Sequence, residues 1–275
     1  MKNAATVARR WPEKIHFGDA TRAAIQGVFE LLFPGSCVSC GTELDAGQRP
    51  VADMPFCREC YGEFELIAGP TCRQCGAPVP LIGAGRIADQ AGPPTRPDCY
   101  RCRGRKLWFD ETLAAGLYTG RIRELLLRMK QSEGDPLSMA IGRLIWHERR
   151  ERLEVLEPDV VAPIPLHWRR RIAHRTNSAA ILAEVLSRHL HAPLAEGLLR
   201  RRRHTKPQFT LTPTQRWQNV RQAFSIGGGQ HLNQAHVLLV DDILTTGATC
   251  SEAARALKKA GAARVTVVVA ARAIT

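Results

Sequence analysis

From about residue 109 onward, the apolar positions of this chain alternate between two periods. Residues 113–118 read as a short strand, and Ile122, Leu125, Leu126 and Met129 then recur at helical spacing. Ile141, Leu144 and Ile145 mark a second helix face, and residues 159–164 form an apolar strand that ends around Pro163 and Pro165. Residues 179–190 are helical, with Ile181, Leu182, Val185 and Leu186 as the inner stripe. A fully apolar strand follows at 237–240, then an alanine-rich helix over 247–260 closed by Gly261, then a valine-rich strand over 264–270. Strands alternating with helices predict an α/β fold, a doubly wound parallel sheet flanked by helices.

The N-terminal third is patterned differently. Residues 1–20 show no period. Ile25, Val28, Phe29 and Leu32 give one short amphipathic helix that stops at Pro34-Gly35. Residues 36–104 are rich in glycine and proline, most of all over 76–97, and have little apolar surface to bury. Three parts are therefore expected: a loosely ordered tail and short helix over 1–30, a small cysteine-rich module over 31–108, and the α/β domain over 109–275.

Cysteine spacing explains how the middle part can fold. Eight of the nine cysteines form four Cys-x-x-Cys pairs: Cys37/Cys40, Cys57/Cys60, Cys72/Cys75 and Cys99/Cys102. Two intervening residues let both thiolates of a pair reach one ion from a tight turn, and Gly41 and Gly76 follow two of the pairs where such a turn needs positive φ. Eight thiolates match two structural zinc sites of four ligands each. An iron–sulfur centre is the competing reading, because four thiolates also ligate iron. Sequential and interleaved pairings of the knuckles are equally compatible with the spacing. The ninth, Cys250, reads as a small residue packing a helix, the alternative being a thiolate stabilised by that helix's first turn.

Charge adds a partner class. The net charge is +13, and residues 168–221 hold twelve Lys or Arg against Glu184 and Glu196. An anionic partner, either a polyphosphate ligand or nucleic acid, is the functional reading of that stretch, and a solvated basic face is the plain one. The run Arg200-Arg201-Arg202-Arg203-His204 favours nucleic acid, although few aromatic residues interleave with it for base stacking. No run of 18 apolar residues predicts a membrane span. With no secretory-signal pattern and with metal-type cysteine usage, a cytoplasmic location is expected.

The strand at 237–240 leads into Asp241-Asp242-Ile243-Leu244-Thr245-Thr246-Gly247-Ala248-Thr249 and then a helix. Two carboxylates at the carboxyl end of a buried strand lie where open α/β sheets bind ligands. The helix start offers N–H groups and a partial positive charge to a phosphate, the threonines add hydroxyls, and Gly247 lets the backbone come close. The acids suit vicinal sugar hydroxyls about one sugar away from that phosphate.

This run resembles the phosphoribosyl-diphosphate signature of type I phosphoribosyltransferases. The wider chain resembles the ComF family, named for competence proteins, from about Leu31 to Ala271. Leu32-Phe33-Pro34, Pro163-Ile164-Pro165-Leu166-His167, Thr205, Gln208, Leu211, Arg216, Asn219, Val220, Ala223 and Phe224 also follow that family's pattern. The resemblance implies that Asp241 and Asp242 meet the ribose hydroxyls, directly or through Mg²⁺, and that Thr245, Thr246, Gly247, Ala248 and Thr249 wrap the 5′-phosphate. It places Arg169 and Arg170 beside the diphosphate and Asn177 in the ligand loop. Two positions depart from the family. His174-Arg175-Thr176-Asn177-Ser178 replaces Arg-Gly-Phe-Asn-Gln, keeping only the asparagine, and Lys130 is followed by Gln131 rather than an aromatic residue.

Three functions follow as expectations. The first is a phosphoribosyltransferase that binds phosphoribosyl diphosphate with Mg²⁺ and releases pyrophosphate to an unspecified acceptor. The second is a non-catalytic sensor of that ligand or a related nucleotide. The third is a factor tied to DNA uptake that contacts single-stranded DNA or DNA-uptake proteins. His167 and His174 lie near the expected site, but surface or core roles fit them better than that of a base.

Overall fold

The computed structural model describes residues 35–274 except 45–46, 48, 52, 80–98, 132–133, 167–176, 204–210 and 230. The expected helix through Ile25 and Leu32 lies outside the described residues, as do His167, Arg169, Arg170, His174, Thr205 and Gln208. The chain divides into two units, one ending at Phe64 and the other starting at Glu65.

The first unit is built on the Cys37/Cys40 turn and a five-residue helix α1 (Arg58–Gly62). Cys57 caps that helix, its sulfur accepting the Cys60 N–H at 3.4 Å, and the Cys57 N–H in turn points at the Cys37 sulfur at 3.3 Å. Phe56 and Phe64 meet edge to face beside them, with ring centroids 4.9 Å apart.

The second unit holds the sheet. In chain order its elements are β1 (Glu111–Leu117), α2 (Gly120–Arg128), α3 (Asp135–Leu156), β2 (Val160–Pro163), α4 (Ser178–Leu190), β3 (Leu199–Arg201), α5 (Pro213–Val220), β4 (Phe224–Ile226), β5 (His236–Leu244), α6 (Ala248–Lys259) and β6 (Arg264–Arg272). Four strands form one sheet in the order β1-β6-β5-β2, every pairing parallel. Val237 to Val240 and Val267 to Val269 are fully buried, as expected of central parallel strands covered on both faces. Ile122, Leu125 and Leu126 on α2 are buried as predicted, whereas of the α4 stripe Leu182 and Leu186 are buried and Ile181 and Val185 only partly so. Helices α3 and α4 cross so closely at Gly142 that a Cβ there would sit 2.9 Å from Val185.

Strands β3 and β4 and helix α5 were not foreseen. Strands β3 and β4 form a separate antiparallel pair, with Arg200 opposite Ser225. Helix α5 opens with a capping box in which Thr212 and Gln215 bond reciprocally. The predicted strand at 237–240 also runs longer, because β6 continues to Arg272 and keeps β5 paired through Leu244.

Candidate functional site

The site grows from the uneven ends of the strands. On one side of β5, β2 stops with Pro163 opposite Val240, and the Ile164 N–H makes the last bond to the Val240 carbonyl at 2.8 Å. On the other side, β6 pairs on to Leu244. Asp241 and Asp242 are therefore held rigidly from one side and open on the other. A cavity of about 380 Å³ lies there, lined by Asp241, Asp242, Thr245, Gly247, Ala248, Thr249, Asn177, Lys130, Arg201 and Arg216, among others. Its size falls within the range of small-molecule sites, about 300–1,000 Å³.

Each acid organises its own backbone. Asp241 accepts the Asp242 N–H at 2.9 Å, and Asp242 accepts the Ile243 N–H at 2.7 Å. Burial and the neighbouring Asp242 charge push the Asp241 carboxyl up to about 8. Lys130 Nζ sits 2.9 Å from Asp242. Burial opposes the Lys130 charge, but the two aspartates outweigh it and hold the ammonium above the ordinary lysine value. Cys250 is 1% exposed and donates to Asp241 at 3.6 Å. Burial raises its thiol well above the ordinary range, which fits a packing residue and not a thiolate.

Beyond β5 the loop turns through Gly247, which has φ 80 and ψ 2 and precedes α6 without a side-chain cap. The Ala248 N–H meets the Thr246 hydroxyl at 3.4 Å. The first turn of α6 thus presents backbone donors and its positive end toward the cavity, an arrangement suited to an anion. Asn177 stands at the start of α4, its side-chain amide donating to the Ile164 carbonyl at 3.4 Å. The structure therefore brings together Asp241, Asp242, the 245–249 loop and Asn177. It adds Lys130, Arg201 and Arg216, whose roles no local motif disclosed. Lys130 had stood out only for the residue that follows it.

The cysteines form two groups of four, Cys37/Cys40/Cys57/Cys60 and Cys72/Cys75/Cys99/Cys102, each with sulfurs within 4.8 Å of one another. The pairing is sequential, one group in each unit. Sulfurs at about 2.3 Å from a tetrahedral zinc stand about 3.8 Å apart. Cys40 and Cys57 are 3.8 Å apart, and Cys72–Cys102 and Cys75–Cys99 are each 3.7 Å apart. These spaces fit one ion and are too tight for a multi-iron core. Hydrogen bonds from Thr42 bring Cys40 down to about 6. A hydrogen bond from Cys72 brings Cys75 to about 5, aided by the Arg272 charge.

Two family models match the chain. A phosphoribosyl transferase domain model matches residues 176–274, and a double zinc ribbon domain model matches residues 28–103. The class is thus a phosphoribosyl transferase-type α/β domain preceded by a double zinc ribbon. Competence protein F of Haemophilus influenzae is 25% identical over 235 residues, covering 84% of this chain and 94% of that protein. The DNA utilization protein YhgH of Escherichia coli is 28% identical over 241 residues, covering 86% and 96%. A purine phosphoribosyltransferase structure from Pyrococcus horikoshii covers 49% of this chain and 80% of its own, at 18% identity and a TM-score of 0.30, too loose a likeness to argue from. Over most of its length the chain is similar to proteins of the competence protein F, or ComF, family. No helix among the described residues is long and apolar enough to cross a membrane.

Proposed function

We propose that the cavity binds phosphoribosyl diphosphate together with Mg²⁺, and that the domain is built for transfer of the phosphoribosyl group with release of pyrophosphate. The observation that carries this reading is the open edge of β5. There the acid pair Asp241–Asp242 and the uncapped start of α6 face one cavity from adjoining segments. A sugar 5-phosphate has the matching shape, an anion at one end and hydroxyls at the other.

In this reading the 245–249 backbone and the Thr245, Thr246 and Thr249 hydroxyls hold the 5′-phosphate, and Asp241 and Asp242 hold the ribose hydroxyls. Arg201 and Arg216 stand on the cavity wall where a diphosphate needs cations. Arg169 and Arg170 keep the same assignment from the sequence alone. Carboxylate oxygens are the donor type a hard divalent cation takes, so Asp241 and Asp242 fit Mg²⁺ as well as the sugar. Bound there, Mg²⁺ would neutralise the diphosphate and ease its departure. Lys130 pairs with Asp242 at 2.9 Å, which in this reading orients the acid pair before ligand arrives.

The test is calorimetric titration of the full chain with phosphoribosyl diphosphate and Mg²⁺. Saturable binding that collapses in Asp242→Ala supports the reading. An absence of binding, or unchanged binding in that variant, refutes it. Pyrophosphate release in a screen of nucleobases and amines then separates transfer from sensing.

A second reading rests on the exposed basic run. Arg202 and Arg203 are exposed beside β3, and the relatives bear competence and DNA-utilization names. Single-stranded DNA binding through this run predicts affinity that falls steeply with salt, since phosphate contacts release counterions. A flat salt response excludes it.

A further inference from the structure

The second cysteine group and the phosphate loop share a buried cation. Arg272 ends β6 and is 6% exposed. Its Nε donates to the Cys75 carbonyl at 2.8 Å. Its Nη1 donates to the Leu244 carbonyl at 2.9 Å and also to those of Thr245 and Ala273. One guanidinium thus ties the knuckle of a metal-type cluster to the two residues that lead into Thr246 and Gly247. Among the described residues no carboxylate forms an ion pair with Arg272. A buried arginine needs a compensating charge, and a zinc ion held by four thiolates carries a net charge of about −2. The Arg272 charge helps lower the Cys75 thiol, so the two groups lie within electrostatic reach of one another.

A second thread runs the same way. In the Cys72/Cys75 knuckle, Gln74 donates to the Phe109 carbonyl at 3.2 Å, and its own carbonyl accepts from the Thr112 hydroxyl at 2.7 Å. Downstream of Cys102, the Trp108 N–H reaches the Ser251 hydroxyl of α6 at 3.1 Å. Leu107 and Phe109 come within 3.5 Å of where a Gly247 Cβ would stand. The segment leaving the cluster therefore underlies the turn that opens α6.

We propose that Arg272 is a positioning residue through which the metal-loaded Cys72/Cys75/Cys99/Cys102 group sets the geometry of the ribose-5-phosphate loop. The proposal rests on the ligand reading above. The cluster fixes the Cys75 carbonyl, Arg272 transmits that position to the Leu244 and Thr245 carbonyls, and the loop amides are thereby preorganised for an anion. Metal loss frees the knuckle, strips the counter-charge from Arg272 and lets the loop relax.

Full-length wild type, Arg272→Gln and Arg272→Lys are titrated with phosphoribosyl diphosphate and Mg²⁺. Zinc content is measured alongside, and amide exchange is read over 245–249 and over 237–240. Arg272→Gln is expected to bind about 10- to 100-fold more weakly, the usual scale for a residue that orients a site's ligating groups. Arg272→Lys should recover part of the affinity. Faster exchange should be confined to 245–249, and chelated wild type should show the same pattern. The proposal is overturned if Arg272→Gln binds like wild type, if exchange rises equally over 237–240, or if chelated wild type keeps its loop protection. If wild type binds no phosphoribosyl diphosphate, the ligand reading fails separately, and the exchange pattern alone decides the coupling. Should Arg272→Gln fail to fold, Arg272→Lys and chelated wild type carry the test.

Discussion

Replacing Gly247 with alanine isolates the backbone contribution of the phosphate loop. Gly247 holds φ 80 and ψ 2, a left-handed conformation in which an L side chain crowds the following carbonyl. The added Cβ would meet Leu107 and Phe109 at 3.5 Å, ordinary van der Waals contact, so no clash adds to the conformational cost. The stability loss is then the left-handed penalty alone, about 1–2 kcal/mol. For a unit of this size that lowers Tm by roughly 2–8 °C. Asparagine tolerates the same region, so Gly247→Asn should lose less than Gly247→Ala. Thermal unfolding followed by circular dichroism measures both. A Gly247→Ala loss above about 4 kcal/mol would show that the methyl does collide, since a loss that large needs a core-scale mechanism. No loss at all, or an asparagine variant worse than alanine, would refute the left-handed argument.

Other expectations follow from charge and metal. Asp241 is pushed up to about 8, so the folded chain keeps a proton that the unfolded chain releases near pH 4. Stability must therefore fall as pH rises from about 4 to about 8, and Asp241→Asn should remove that slope. The Tm difference between variant and wild type should grow across that window, and a pH-independent difference rejects the assignment. Lys130 is 48% exposed and Asp242 19%, so Lys130→Met should cost the ligand-free fold no more than about 1 kcal/mol in a urea melt, and a loss of several kcal/mol would show that the pair acts as a buried one. Elemental analysis should return two zinc ions per chain for the two four-cysteine groups, and abundant iron would overturn the fit to single tetrahedral ions.

Much of the α/β unit was legible because its signals are local. The apolar run Val237 to Val240, the stripe of Leu182 and Leu186 and the alanine-rich α6 each declare their period without reference to the rest of the chain. The capping box Thr212-Pro213-Thr214-Gln215 was equally readable and would have located α5. Strand β3 was not, because Leu199–Arg201 looks like the start of a basic surface run and becomes a strand only by pairing with Phe224–Ile226, more than twenty residues on. The cysteine spacing disclosed two four-ligand groups but not their partition, which depends on which turns the fold brings together.

The same distinction governs the site. Its ligand-facing residues sit in one continuous run, so the motif from Asp241 to Thr249 exposes them to inspection. The residues that hold the run in place do not. Arg272 meets Cys75 across 197 positions, and Lys130, just past the end of α2, meets Asp242 across more than a hundred. Glu111, 2% exposed, pairs with Arg73, Arg152 and Arg264, each from a different segment. Read alone, each of these arginines is one more contribution to a net charge of +13. A surface arginine and a buried one are written with the same letter, and only the fold decides which charge is solvated and which is spent holding a loop. The excess of positive charge therefore has more than one origin: Arg272 is buried and shapes the site, whereas Arg202 and Arg203 are exposed yet bond to Ser225 and to the carbonyls of Gln218, Asn219 and Arg221.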